Sequence, residues 1–143
     1  MFIGAVVLGT ILLAGAPVEM ENLKEGHLRE RIERFQQAFG KGEFDTVLGM
    51  YSETKKSTMI PSHSEREKLK AEWGLFVERN HPIFTIKSIT IEGVRAIVKT
   101  GGSIQLPNGN REQAELYDLW VFENGDWYFR TGDRTSPEYL PKD

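Results

Sequence analysis

The sequence predicts an α+β fold in which three N-terminal helices pack in a curved antiparallel sheet. Three observations predict it. Apolar residues recur with a period of about 3.6 from Leu28 to Val77 and with a period of about 2 from Ile83 onward. Turn signals at Gly93, Gly109 and Gly125 cut the second half into hairpins. The last hairpin is apolar on both faces, so its sheet needs cover on both sides. At 143 residues, 39% of them hydrophobic, the chain has the size and apolar content of one globular domain.

Leu28, Ile32, Phe35 and Phe39 form the apolar stripe of a first helix, with Arg29, Glu30, Arg31, Glu33 and Arg34 between them. It stops near Gly40 and Gly42. Phe44, Val47, Leu48 and Tyr51 make the buried face of a second, short helix, and the pair reads as a helical hairpin. The polar segment 52–63, with only Met59 and Ile60 as apolar anchors and Pro61 near its end, reads as a loop or a brief edge strand. Ser64 opens the third helix in a capping box with Glu67. Leu69, Trp73, Phe76 and Val77 are its stripe, and Asn80, His81 and Pro82 end it.

Residues 83–131 read as sheet. Glu92 and Gly93 are the expected turn of the first hairpin, which sets Ile91 opposite Val94 and Ile89 opposite Ala96. A second hairpin turns at Asn108 and Gly109. The third turns at Asn124 and Gly125, a pair that supplies the positive φ angles of a type I′ turn. Its register places Phe122 opposite Trp127, Trp120 opposite Phe129 and Asp118 opposite Thr131 on one face. Tyr117, Leu119, Val121, Tyr128 and Arg130 occupy the other. Gly101 and Gly102 mark the expected place for a bulge.

The bulk numbers exclude several classes of function. Eighteen basic against twenty-one acidic residues, with no long run of like charge, disfavours nucleic-acid binding. The absence of Cys removes disulfides, thiolate nucleophiles and Cys-ligated zinc. His27, His63 and His81 have no metal-ligand spacing, and Gly101-Gly102 lacks the Lys of a phosphate loop, so neither metal nor cofactor is expected. Residues 2–18 carry no charged side chain and end in Ala14, Gly15 and Ala16, the pattern of an export signal. Pro17 and the lack of a preceding Lys or Arg leave an uncleaved anchor and a buried N-terminal arm as alternatives. The expected organisation is a signal peptide or anchor over residues 1–18 and one domain over 19–143. That domain would be secreted, periplasmic or anchored facing outside the cytoplasm, meeting the membrane only through an uncleaved N-terminus.

Three helices and a long meander closing on Leu119-Trp120-Val121-Phe122-Glu123-Asn124-Gly125-Asp126-Trp127-Tyr128-Phe129 resemble the nuclear transport factor 2-like superfamily, the cystatin-like cone fold. The resemblance spans about residues 23–133. It implies a sheet wrapped around the first helix into a cone, often with a pocket inside, in a superfamily of isomerase-like and dehydratase enzymes, polyketide cyclases, epoxide hydrolases and non-catalytic binding domains. Against that background Asp118 is the first candidate, because a carboxylate among aromatic residues can act as acid or base. Asp133 shares its face, roughly 7 to 8 Å away diagonally. Tyr51 is the candidate hydrogen-bond donor to a carbonyl oxygen, and His81 the candidate for a dehydratase-like His–Asp pair. Strand alternation turns Arg130 away from both acids, so the Asp-Arg-Asp constellation of the epoxide hydrolases is not assembled. Trp120, Phe129, Trp127 and Asp133 are the candidate ligand contacts. The expected function is non-catalytic binding of a small apolar molecule or a protein partner, with a homodimer formed through the sheet. The alternative is a lyase or isomerase with Asp118 as base.

Overall fold

The computed structural model describes residues 20–142. The expected export segment, residues 1–18, lies outside the described residues. Helices α1 (Glu25–Gly40), α2 (Phe44–Gly49), α3 (Glu53–Met59) and α4 (His63–Asn80) precede strands β1 (Ile83–Glu92), β2 (Arg95–Gln105), β3 (Arg111–Glu123) and β4 (Asp126–Arg134). A 3-10 turn, Pro137–Tyr139, follows. The strands form one antiparallel meander in the order β1-β2-β3-β4. Among the described residues, no helix is long and apolar enough to cross a membrane.

The expected three helices are joined by another, because residues 53–59 of the segment expected as loop or strand are helical. Ser52 caps α3, its hydroxyl accepting the Lys55 N–H at 3.2 Å. The cap and the contact of α3 with β4 form this helix without an apolar stripe of its own. The start of α4 also moves: Ser62, not Ser64, is the cap, and its Oγ accepts the Glu65 N–H at 3.2 Å. Ser62-His63-Ser64-Glu65 and Ser64-Glu65-Arg66-Glu67 are overlapping capping-box sequences, and the serine of the first supplies the cap. At the other end of α4, His81 takes a left-handed conformation with φ 42° and closes the helix by donating its N–H to the Val77 carbonyl.

The third hairpin follows the expected register near its turn. Asn124 and Gly125 have φ angles of 52° and 82°, and Phe122 pairs with Trp127 and Trp120 with Phe129. The first hairpin differs. Its turn is Gly93-Val94, so Ile91 pairs with Ala96 and Ile89 with Val98. Glycine at the first central position, with φ 66°, suits a two-residue turn there. The shift is by two residues, so each side chain keeps its face. The bulge also lies elsewhere: Lys87 is the extra residue, between the pairs Ile86–Thr100 and Ser88–Lys99, while Gly101 and Gly102 pair regularly. That bulge keeps Ile86 and Ile89 on one face although they are three residues apart. Gly101 leaves the room it needs, since a Cβ there would come within 2.7 Å of the Lys87 and Thr85 side chains.

The concave face is the one that carries Trp120. Leu28 and Ile32 of α1 pack against Ala96, Val98, Trp120 and Trp127, with Ile86, Ile89, Ile91, Phe122 and Phe129 around them. A second cluster, Ala38, Val47, Leu48 and Tyr51, joins the first through Phe35 and Phe129. The opposite face is covered in part by the chain's own C-terminal segment. Arg95 donates to the Lys142 carbonyl at 2.6 Å, and the buried Leu140 borders a shallow cleft with Ile97 and Pro137. The stripe of α4 is only half covered, and Phe76 remains 38% exposed.

Candidate functional site

Between α1, the α2–α4 segment and the inner face of the sheet lies a cavity of about 570 Å³. Its deep wall is aromatic for a reason visible in the strand pattern. Trp120 and Phe129 are cross-strand partners on the inner face, and Phe35 of α1 reaches both. Phe35 stacks on Phe129 with centroids 5.0 Å apart and meets Trp120 edge-on at 5.2 Å. Tyr51 enters beside them, its ring 5.4 Å from Phe129. It is held there because residues 50–52 pair with the free edge of β4: Phe129 N–H donates to the Met50 carbonyl and Ser52 N–H to the Phe129 carbonyl, each at 2.8 Å.

Asp118 lines this cavity. The expected Asp118–Thr131 pair does not form, because β4 is irregular. Arg130 is an extra residue that shifts Thr131 opposite Leu119, and Tyr117 next pairs with Arg134. Asp118 therefore faces the displaced backbone at Gly132 and Asp133. Its Oδ1 accepts the Asp133 N–H at 3.1 Å, and its Oδ2 accepts the Thr100 hydroxyl at 2.8 Å. Asp133 bends there with φ 61°, a conformation Asp tolerates better than most residues. Burial pushes the Asp118 carboxyl up to about 6 and the Asp133 charge adds to the rise, while the two hydrogen bonds oppose it. Gly132 completes the seat. A Cβ on it would collide with Asp118 Oδ1 and come within 2.8 Å of Phe129 Cζ. Gly132→Ala is expected to cost roughly 1–3 kcal/mol of stability, read by urea denaturation, because neither obstacle is the free end of a flexible side chain.

Of the other candidates, Tyr51, Trp120, Phe129 and Asp133 line the cavity. Burial, with the Asp133 charge second, raises the Tyr51 hydroxyl, so it keeps its proton at neutral pH. Trp127 does not line the cavity. It is fully buried in the core, with its indole N–H donating to the Asn22 carbonyl at 2.8 Å. His81 is exposed at the end of α4, where Arg111 donates to its carbonyl at 2.6 Å, and it has no part in the cavity. Arg130 is likewise absent from the lining. Residues not anticipated are Thr100, Gly132 and Lys55 of α3. The Lys55 ammonium lies 5.8 Å from the ring centres of both Tyr51 and Phe129. Lys55 and Met59, four residues apart, are readable as one helical face only once Ser52 is taken as a cap. Among the described residues, no group of three or more His, Asp or Glu side chains is arranged to hold a metal ion.

Solved structures share this architecture. A designed NTF2-like protein superposes with a TM-score of 0.56 at 20% identity, over 75% of this chain and 95% of that one. A protein of the NTF2-like family from Streptomyces avermitilis gives 0.51 at 12% identity, over 80% and 93%. The chain has the nuclear transport factor 2-like fold. The same fold aligns with a SEC-C motif containing protein from Rhodopseudomonas palustris at a TM-score of 0.55 and 14% identity, over 70% and 72%. No protein-family model matches the sequence, and no curated protein is detectably similar to it. At these identities the nuclear transport factor 2-like fold alone is shared, and function has to be argued from the cavity.

Proposed function

We propose that this chain binds a small, largely apolar molecule inside the cone, with the partly buried Asp118 carboxylate as the polar contact that orients it. The observation that carries this reading is the combination of an aromatic cavity of about 570 Å³ and one carboxylate seated at its wall. Cavities of roughly 300–1,000 Å³ with apolar walls and few placed polar groups are typical of small-molecule sites. Gly102 offers a way to test it. A Cβ there meets nothing closer than the Phe84 ring at 3.9 Å, so Gly102→Leu can fill the cavity without displacing backbone. Titration with 2-naphthol, followed by amide NMR, is expected to move Thr100, Gly132 and Asp133, and Gly102→Leu is expected to weaken binding at least tenfold while the protein stays folded. Shifts confined to the outer face of the sheet, or equal binding by the variant, would contradict the reading.

A second reading, proton transfer in a lyase or isomerase, is favoured by the rise of the Asp118 carboxyl to about 6, close to the range where a carboxylate serves as base near neutrality. Tyr51, still protonated, would donate to the developing oxyanion. Hydrogen–deuterium exchange at the α-carbon of bound 2-tetralone would rise as pH passes through about 6 and vanish in Asp118→Asn. Equal exchange in the two proteins would remove Asp118 from any such role. The uncharged segment 2–18 supports placing the domain outside the cytoplasm, and the outer-face residues Tyr117 and Tyr128 support a homodimer formed through the sheet.

A further inference from the structure

Lys55 is out of keeping with a cavity built only for neutral molecules. Its ammonium is half-buried at the cavity edge over the Tyr51 and Phe129 rings, 5.8 Å from each. Its neighbour Lys56 pairs with Glu53 at 3.7 Å, but among the described residues no carboxylate oxygen lies within ion-pair distance of Lys55. Burial lowers its pKa; the Asp133 charge opposes that, and Arg134 and Arg130 add to it. This end of the cavity thus gathers three cations around the Asp133 carboxylate, and Lys55 is the one of them that borders the cavity. The ammonium lies over aromatic rings, so a ligand seated on those rings meets a partly desolvated positive charge.

We propose that the molecule bound here is an amphipathic organic acid, its carboxylate held by Lys55 at the edge and its apolar body running inward along Phe129 and Tyr51 to Trp120. This rests on the cavity being a small-molecule site. A carboxylate that meets a half-desolvated ammonium gains more than it would in open water, where exposed pairs contribute little. Asp118 then faces the buried end of the ligand, which should be neutral, because a second negative charge beside it would be repelled.

The test uses a matched pair of probes, 2-naphthylacetate and the uncharged 2-naphthylacetamide, measured by isothermal titration calorimetry at pH 7.5 on the full chain. Wild type is expected to bind the acid on the order of tenfold tighter than the amide. Lys55→Met, which keeps an apolar side chain, should lose the preference and bind both probes alike, and Lys55→Arg should keep the preference. Equal binding of the two probes by wild type, or a preference that survives in Lys55→Met, would overturn the assignment while leaving the cavity reading intact. Failure of wild type to bind either probe would overturn both.

Discussion

Asp118→Asn is expected to make the protein more stable at pH 8, by about 3 kcal/mol, and to leave its stability at pH 3.5 nearly unchanged. The native carboxyl is raised from 3.8 to about 6, mainly by burial, and every tenfold weakening of the acid corresponds to about 1.36 kcal/mol. The sign follows from which form is penalised. A group whose folded pKa lies above its unfolded value contributes stability that is complete below about 3.8 and is lost as pH rises through about 6. Asparagine imitates the protonated acid: its amide oxygen can accept from the Asp133 N–H, and its NH2 can donate to Thr100 Oγ1. Urea denaturation of the two proteins from pH 3.5 to 8 should give curves that diverge between about 3.8 and 6 and run parallel above that. The difference between them isolates Asp118, because every other group titrates in both proteins. Stabilities that stay parallel across the range would mean that the carboxylate is solvated and its placement in the cavity wrong.

Trp127→Ala is expected to cost roughly 3–5 kcal/mol, a large share of the 5–15 kcal/mol that typically holds a domain folded. Its side chain is fully buried in the cluster with Leu28, Ile32 and Trp120, and its ring meets Phe122 edge-on at 5.4 Å. Its polar contacts fasten α1 and the residues before it to the hairpin. The indole N–H reaches the Asn22 carbonyl, and the Trp127 carbonyl accepts from Arg31 at 2.8 and 3.1 Å. Beside them Asp126 bonds His27 at 2.8 Å. Trp127→Phe should recover more than half of the loss, and because the residue does not line the cavity, it should bind 2-naphthol as the wild type does. Thermal and urea unfolding measure the first effect, and calorimetry the second. A loss below about 1 kcal/mol in the alanine variant would contradict the core assignment.

What can be read from the sequence follows how locally each feature is determined. Asn124-Gly125 fixes the conformation of its own turn, so the pairing of Trp120 with Phe129 and their common face with Asp118 are legible from alternation alone. Which face is concave is not, since both are apolar; that depends on α1 packing over Trp120 and Trp127. The irregularities of β4 are hidden for a related reason. They depend on partners distant in sequence: residues 50–52, which take up the Phe129 backbone, and the Asp118 carboxylate, which takes up the Asp133 N–H. Only Gly132 hints at them. Helix α3 is invisible to periodicity because a cap and docking on β4, not an apolar stripe, form it, and Lys55 is hidden with it. His81 and Trp127 are candidates by residue type, but one serves as a helix cap and the other as core.

The placement of the Asp118 carboxylate inside a cavity that a ligand can enter is tested most directly by 13C NMR titration of its Cγ, with and without 2-naphthol. The structure predicts a midpoint of about 6, displaced when the probe is bound. A midpoint near 3.8 that the probe leaves unchanged would contradict it, and would return Asp118 to the solvated edge of an ordinary sheet.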